Sequence, residues 1–149
     1  MSQDVRLLRN ADGLYDLNVL NNVLETVDGL ETAIIVSLLT DARAPASVVQ
    51  TPSRRRGWVG NILTASSGRQ LGSRLWTFHQ ARLTDATLND LAVAAQESLN
   101  WMVEDGLAKS VSATVLKDGL RGVTVNVSIT TIEGREKQYA VLWRQTGDI

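Results

Sequence analysis

Apolar and polar residues alternate through the C-terminal third of the chain. Valine, alanine and isoleucine occupy every second position at 111–115 and 123–129, and the alternation returns at 139–143. Lys-Asp-Gly ending at Gly119 and Glu-Gly ending at Gly134 separate the three runs. Alternation with a period of two places one side of a strand against a core. The pattern therefore predicts a three-stranded antiparallel sheet with one apolar face.

A second pattern with helical spacing precedes this sheet. Thr84 and Asp85 are typical N-cap residues, and Gly106 is typical of a helix C-terminus. Between them, the apolar residues repeat every 3.6 positions and so define one face of an amphipathic helix of about twenty residues. These residues are Leu88, Leu91, Ala92, Ala95, Leu99 and Met102.

The N-terminal half gives weaker signals. Short apolar runs at 5–8 and 14–19 flank an Asp-Gly pair, which predicts a β-hairpin. Residues 30–39 have an i, i+4 apolar stripe that favours a buried helix, and 69–81 are expected to form a short helix. The interval 41–68 contains proline, glycine, serine and threonine and is expected to be a long loop.

Together these elements predict an α+β fold. It contains an N-terminal β-hairpin, two to three helices including the long amphipathic one, and the C-terminal three-stranded antiparallel sheet. The length suits a single domain over 1–149. No apolar run reaches the roughly 20 residues that cross a membrane, and the first residues lack the apolar region of a secretory signal. With no cysteine, we expect no disulfide or thiolate metal site, no cofactor, and synthesis in the cytoplasm.

Charge is distributed unevenly along the chain. The net charge is −1, but no acidic residue lies between Asp41 and Asp85. That interval holds seven of the 12 arginines, so it carries +7 and the remainder of the chain sums to −8. Such asymmetry bears on binding partners rather than on the fold.

The most concentrated candidate site lies within this basic interval. Arginine and tryptophan are enriched at interface hot spots, so the segment is a candidate anchor for an acidic partner surface. A solvated basic loop with its tryptophan in the protein's own core is an equally weighted interpretation. An alternative function is nucleic-acid association through the basic segment 42–84, although the pI near 5.8 disfavours it. The candidate residues are Arg43, Arg54, Arg55, Arg56, Gly57, Trp58 and Arg74.

A second candidate site is the last predicted strand, at 138–144. An edge strand offers unpaired N–H and C=O groups to another chain, which makes Tyr139, Val141 and Trp143 candidate contact positions. The alternative is an edge covered by the chain's own tail.

Candidate catalytic residues are few. His79 is the one histidine, and Glu97 and Glu104 lie on the predicted long helix. A structural histidine and a solvated helix face explain them more simply than a hydrolase site, because no nucleophile, phosphate-binding or metal motif accompanies them. We therefore expect a protein that is not an enzyme and has no small-molecule substrate.

Five groups of residues distributed along the chain form a recognisable set. The first group is Asp-Val-Arg-Leu-Leu at 4–8 with Asp-Gly-Leu-Tyr-Asp-Leu at 12–17, and the second is Gly-Leu-Glu-Thr-Ala-Ile at 29–34 with Leu-Thr-Asp-Ala-Arg-Ala at 39–44. The third is Arg-Arg-Gly-Trp-Val-Gly-Asn at 55–61, and the fourth is Leu-Gly-Ser-Arg-Leu-Trp at 71–76. The fifth is Leu-Asn-Trp-Met-Val-Glu-Asp-Gly at 99–106. Across nearly the whole chain this set resembles the baseplate wedge protein family of Mu-like contractile phages. It is similar, more distantly, to the small wedge protein of T-even phages and its counterpart in type VI secretion baseplates.

The resemblance implies a structural role in the virion. Its expected partners are other baseplate wedge proteins, tail sheath subunits and central hub or tube proteins, with six copies around the tail. In the distant relatives a Glu-Pro-Arg stretch docks on the wedge. The comparable region here is 40–45, in which Arg43 corresponds to the arginine of that stretch. The glutamate is absent, and Asp41 is the acidic residue that takes its place. The resemblance assigns the contact with the sheath to the edge strand 138–144.

Overall fold

The computed structural model describes residues 3–28, 30–63 and 70–145, and it confirms the α+β class predicted from the patterning. Contacts divide the chain into two units, Met1–Val36 and Ser37–Ile149. Each unit is described separately below. The single domain expected over 1–149 stays a prediction.

The N-terminal unit is built from three short antiparallel strand pairs. The predicted hairpin is confirmed as the antiparallel pairing of 7–9 with 15–17, and the structure adds two further pairs around it. The turn between the strands at 19–20 and 23–24 places Asn21 and Asn22 at positive φ (50° and 63°), which asparagine tolerates better than most residues. The strands are β1 (Gln3–Val5), β2 (Leu7–Arg9), β3 (Tyr15–Leu17), β4 (Val19–Leu20), β5 (Val23–Leu24) and β6 (Thr26–Asp28), with β1 paired to β6 and β4 paired to β5.

The expected helix at 30–39 is present as α1 (Glu31–Leu39). The segment after it is irregular, as predicted, apart from a 3₁₀ turn at Pro52–Arg54 and a single helical turn, α2 (Gly60–Leu63). Positions 64–68 of the expected loop lie outside the described residues.

The prediction of a helix at 69–81 is wrong. Within the described part of that range, the chain forms only a 3₁₀ turn at Leu75–Phe78. Gly72 adopts φ +119°, which breaks a helix, and the next residue forms a parallel bridge with Asp41. Ser73 N–H donates to Thr40 O at 2.8 Å, so the backbone hydrogen bonds that a helix would use are directed to another segment.

The long helix is confirmed, in two parts. They are α3 (Asp85–Leu99) and α4 (Trp101–Glu104), separated by Asn100. Thr84 caps the N-terminus as predicted, since its side chain accepts a hydrogen bond from the N–H of Thr87. Gly106, at φ +73°, ends the helix, because it lets the following N–H groups turn back to the last carbonyls.

The C-terminal sheet follows the predicted order. Its strands are β7 (Ala108–Asp118), β8 (Gly122–Thr131) and β9 (Glu136–Arg144), arranged β7-β8-β9. Helices α3 and α4 pack on β7, and the alternating apolar residues of the sheet form the core of this unit with the helices. The fully buried larger side chains include Leu75, Leu91, Leu99, Met102, Val123, Val125, Val127 and Ile129.

Candidate functional site

Two arginines of the predicted anchor stabilise the loop that carries them. Arg43 donates to Arg56 O at 3.3 Å and to Pro52 O at 3.2 Å. Arg55 donates to Val49 O at 2.7 Å and to Gln50 O at 2.9 Å. Because both guanidinium groups satisfy backbone carbonyls of residues 49–56, their first role is to hold the loop in shape.

Arg56 is engaged in a different way. Its Nη1 lies 2.9 Å from Asp41 Oδ2, and its Cζ lies 4.8 Å from the centroid of the Trp76 ring. Trp76 is fixed in turn, since its indole N–H donates to Ala42 O at 2.8 Å. The Arg56 charge is therefore shared between a carboxylate and an aromatic face, which limits what it can offer a partner.

Gly57 and Arg74 are also used within the chain. Gly57 adopts φ +114°, and a Cβ there would lie 3.0 Å from Arg43 Cβ, so the turn has no room for a side chain. Arg74 forms an ion pair with Glu97 of α3. The +7 interval is thus partly neutralised by Asp41 and Glu97, which stand at and beyond its ends, and this reduces the charge available to nucleic-acid phosphates.

The groups left exposed lie at the end of the loop. Arg54 is exposed, and within residues 3–28, 30–63 and 70–145 its side chain has no hydrogen bond or ion pair. Trp58, four positions later, is 46% exposed, and three exposed aliphatic side chains follow it. These are Val59 at 69%, Ile62 at 75% and Leu63 at 83% exposure. We call Arg54 together with residues 58–63 the exposed loop patch.

Asn61 holds this patch in place. Its side-chain amide donates to Leu71 O at 3.0 Å and accepts from Leu71 N–H at 2.9 Å, so it pairs with that residue as a strand would. The Trp58 ring lies across Gly60, where an added Cβ would meet a ring carbon at 2.1 Å. The apolar side chains are therefore displayed on a fixed backbone.

The three candidate side chains of the last strand lie on the covered face of the sheet. In register, Tyr139, Val141 and Trp143 stand beside Val127, Val125 and Val123, whose side chains form the core. Val141 and Trp143 are 3% and 6% exposed, and the Trp143 ring stacks on His79 at 5.1 Å. A strand added at β9 would meet the backbone of these residues rather than their side chains.

The opposite edge of the sheet is covered at its middle by one side chain. Gln96 of α3 donates to Val111 O at 2.7 Å and accepts from Ala113 N–H at 2.9 Å, so its amide occupies the middle of the β7 edge. Across residues 70–145, β9 has no comparable amide cover. Sequence reasoning missed both Gln96 and Asn61, because a single amide on a helix or turn gives no periodic signal.

Of the three groups considered for catalysis, Glu104 is exposed on α4, and the other two contact neighbouring side chains. Glu97 pairs with Arg74, and burial lowers the pKa of His79, with the Arg56 charge adding to this effect and Asp41 opposing it. Among the residues that the structure describes, no group of three or more histidine or acidic side chains could hold a metal ion. In the same residues no helix is both long and apolar enough to span a membrane.

The chain belongs to a family of phage proteins. A family model described as Phage protein GP46 matches residues 30–136, and the chain belongs to that family. This confirms the relationship to Mu-like phage baseplate proteins predicted from the sequence. It is 32% identical over 111 residues to the Mu-like prophage FluMu protein gp46 of Haemophilus influenzae, covering 74% of this chain and 75% of the relative. It is also 34% identical over 89 residues to the baseplate protein gp46 of Escherichia phage Mu, covering 58% and 59% of the two chains.

Proposed function

We propose that this chain is a structural component of a contractile phage tail baseplate, where it joins wedge scaffold proteins to the tail sheath or tube. The observation that carries the proposal is membership of the same family as a protein of phage Mu that is named a baseplate protein. The proposed location is accordingly the virion tail, after assembly in the host cytoplasm, with six copies around the tail axis.

The exposed loop patch is the proposed contact with the wedge scaffold. Trp58, Ile62 and Leu63 are exposed apolar side chains of the same loop that carries the exposed Arg54 charge. Burying an aliphatic or aromatic side chain contributes roughly 1.5–3 kcal/mol, so three such groups are enough to anchor a specific interface. The backbone fixed by Asn61 lowers the entropy that binding must overcome.

The β9 edge is the proposed contact with a neighbouring strand of the sheath or tube. Strand addition uses main-chain hydrogen bonds, which need an accessible edge and do not need exposed side chains. This agrees with the burial of Val141 and Trp143 and with the cover that Gln96 places on β7. The two proposed contacts lie on different elements, as a linking protein requires.

Co-purification with the wedge scaffold proteins of the same phage tests the loop contact. The variant carries Arg54→Glu and Trp58→Ala, which alter the exposed loop patch and leave the internal hydrogen bonds of Arg43 and Arg55 in place. A matched control carries Lys109→Glu and Val103→Ala, which reverse one exposed charge and truncate one exposed apolar side chain elsewhere.

We expect the wild-type chain and the control to co-purify with the scaffold and the loop variant to be lost. If both variants bind as well as the wild type, the exposed loop patch is not the docking site. If none of the three binds, and tails assemble normally without the chain, the baseplate role itself is refuted. Binding of the chain to random duplex DNA, with affinity falling steeply as salt rises, would favour the nucleic-acid alternative.

A further inference from the structure

A basic cleft lies on the C-terminal unit, at the end of β9, and none of the exposed loop patch residues lines it. It has a volume of about 680 Å³ and is lined by residues 79–83, by the turn between β7 and β8, and by Gln145. Three of the lining side chains are exposed cations: Arg82, Lys117 and Arg121. No acidic side chain is among the described residues that line it, and Asp118 belongs to the same turn without lining the cleft.

Hydrogen bonds hold the walls of this cleft together. The Gln145 side-chain amide donates to Phe78 O at 2.7 Å and to Ala81 O at 2.6 Å, and its backbone N–H donates to Arg121 O at 2.7 Å. One residue therefore joins the end of the sheet, the turn between β7 and β8, and the segment that precedes α3. A cleft whose walls are fixed in this way is formed before any ligand arrives, which favours binding.

The chemistry of the lining identifies the ligand class. Two guanidinium groups and one ammonium group line the cleft, and no carboxylate lies among the described lining residues. Guanidinium groups pair with carboxylates through two parallel hydrogen bonds. Leu120, at the tip of the turn, is 89% exposed and adds an apolar contact beside the charges. We propose that this cleft binds an acidic segment of a partner protein, in which carboxylates flank an apolar side chain.

The shape of the cleft favours a peptide segment over nucleic acid. Single-stranded nucleic acid is bound along extended grooves with exposed aromatic rings on which bases stack. Here the one aromatic side chain among the described lining residues is His79, whose ring is partly buried and already stacked on the Trp143 ring, with the centroids 5.1 Å apart. A volume of about 680 Å³ suits a few side chains rather than a strand of several nucleotides. The inference does not depend on the proposed baseplate role.

A fluorescence anisotropy titration with a labelled dodecapeptide tests the proposal. The probe alternates glutamate and aspartate and has a leucine at its centre, and a second peptide replaces the acids by glutamine and asparagine. The cleft variant carries Lys117→Glu and Arg121→Glu. The matched control carries Lys109→Glu and Arg135→Glu, which remove the same charge at the opposite end of the same sheet.

We expect the acidic peptide to bind the wild-type chain and to shift amide NMR resonances of residues 79–83 and 117–121. The cleft variant should bind about tenfold more weakly or worse, while the control changes the affinity by less than about threefold, because dispersed charges are screened. Equal losses in the two variants, or equal binding of the amide peptide, would overturn the proposal.

Two further arms separate other occupants of the cleft. Tighter binding of a single-stranded DNA 12-mer with shifts in the same residues would overturn the choice of an acidic peptide. Tighter peptide binding after removal of residues 146–149, which include Asp148, would assign the cleft to this chain's own segment rather than to a partner. Because the cleft variant leaves the exposed loop patch unchanged, its result is independent of the wedge co-purification.

Discussion

Replacing Gln96 by alanine removes the cover from the β7 edge, together with an exposed hydrogen bond from the same amide to Asn100 Oδ1 at 3.0 Å. The side chain makes two hydrogen bonds to the strand, to Val111 O at 2.7 Å and from Ala113 N–H at 2.9 Å. Alanine is at least as good a helix former as glutamine, so α3 itself is not weakened by the change. The substitution therefore removes one amide whose two partly buried hydrogen bonds go to the sheet.

The expected cost follows from these two bonds. A neutral hydrogen bond contributes about 1 kcal/mol net, and both bonds here are partly buried. Loss of both should lower the free energy of unfolding by about 2 kcal/mol, which corresponds to a fall in Tm of roughly 4–8 °C for a domain of this size. Gln96→Glu should cost at least as much near neutral pH, because a carboxylate would face the Val111 carbonyl without a proton to donate.

Urea unfolding and amide hydrogen exchange measure this effect. The exchange protection of the Ala113 amide should fall more than that of amides in the central strand β8, which report the global stability. Asn89→Ala is the control, since Asn89 is exposed on the same helix, and it should change the free energy of unfolding by less than about 0.5 kcal/mol.

Two results together would contradict this prediction. The free energy of unfolding would change by less than about 0.5 kcal/mol in Gln96→Ala, and the exchange rate of the Ala113 amide would stay the same, because both hydrogen bonds would then contribute nothing net. A variant that instead unfolds at the predicted urea concentration but self-associates more readily would agree with the loss of an edge cover.

Two further predictions concern the loop bridge and the histidine. Gly72→Ala should lower the free energy of unfolding by about 2–4 kcal/mol, because φ is +119° and the new Cβ would meet Thr40 O at 2.7 Å. The control Gly134→Ala is also at positive φ, but its Cβ would have no neighbour within 4 Å, so it should lower the free energy of unfolding by only about 1–2 kcal/mol. Equal losses for the two variants in urea unfolding would refute the clash at Gly72. Burial lowers the pKa of His79 below its ordinary value of 6.5, so its contribution to stability is complete above pH 6.5 and is lost as pH falls through the folded-state pKa. His79→Gln should accordingly flatten the dependence of the urea midpoint on pH between about 8 and 5.5, and an unchanged slope would refute this assignment.

Periodic patterning predicted the elements that depend on it. The alternation at 111–115 and 123–129 placed two strands of the sheet, and the 3.6-residue spacing with Thr84 and Gly106 placed the long helix. In these segments the local preference of each residue agrees with the packing that it enters, which is why the sequence alone is sufficient.

Patterning failed where a single contact decides the backbone. The apolar spacing of Leu71, Leu75 and Phe78 predicted a helix, but Gly72 and the hydrogen bond from Ser73 to Thr40 pair that segment with the residues that follow α1. No periodicity reports such a bridge, because its partner lies more than thirty positions earlier in the sequence.

Composition marked a candidate site without resolving the roles of its residues. The cluster of arginines and a tryptophan made this segment unusual. The structure divides its residues, since Arg43, Arg55 and Arg56 are engaged within the chain while Arg54 and Trp58 are exposed. Composition counts these arginines alike, because which carbonyl or carboxylate each one reaches is a property of the tertiary fold.

The amide cover on β7 has a consequence for how copies of this chain can meet each other. An unlimited ribbon of molecules joined sheet to sheet needs two receptive edges per molecule, one at each end of the repeat. With the Gln96 amide in the middle of the β7 edge, sheet pairing of identical copies through β9 alone gives a pair of molecules rather than a ribbon. The amide on β7 thereby acts against fibre formation through the sheets.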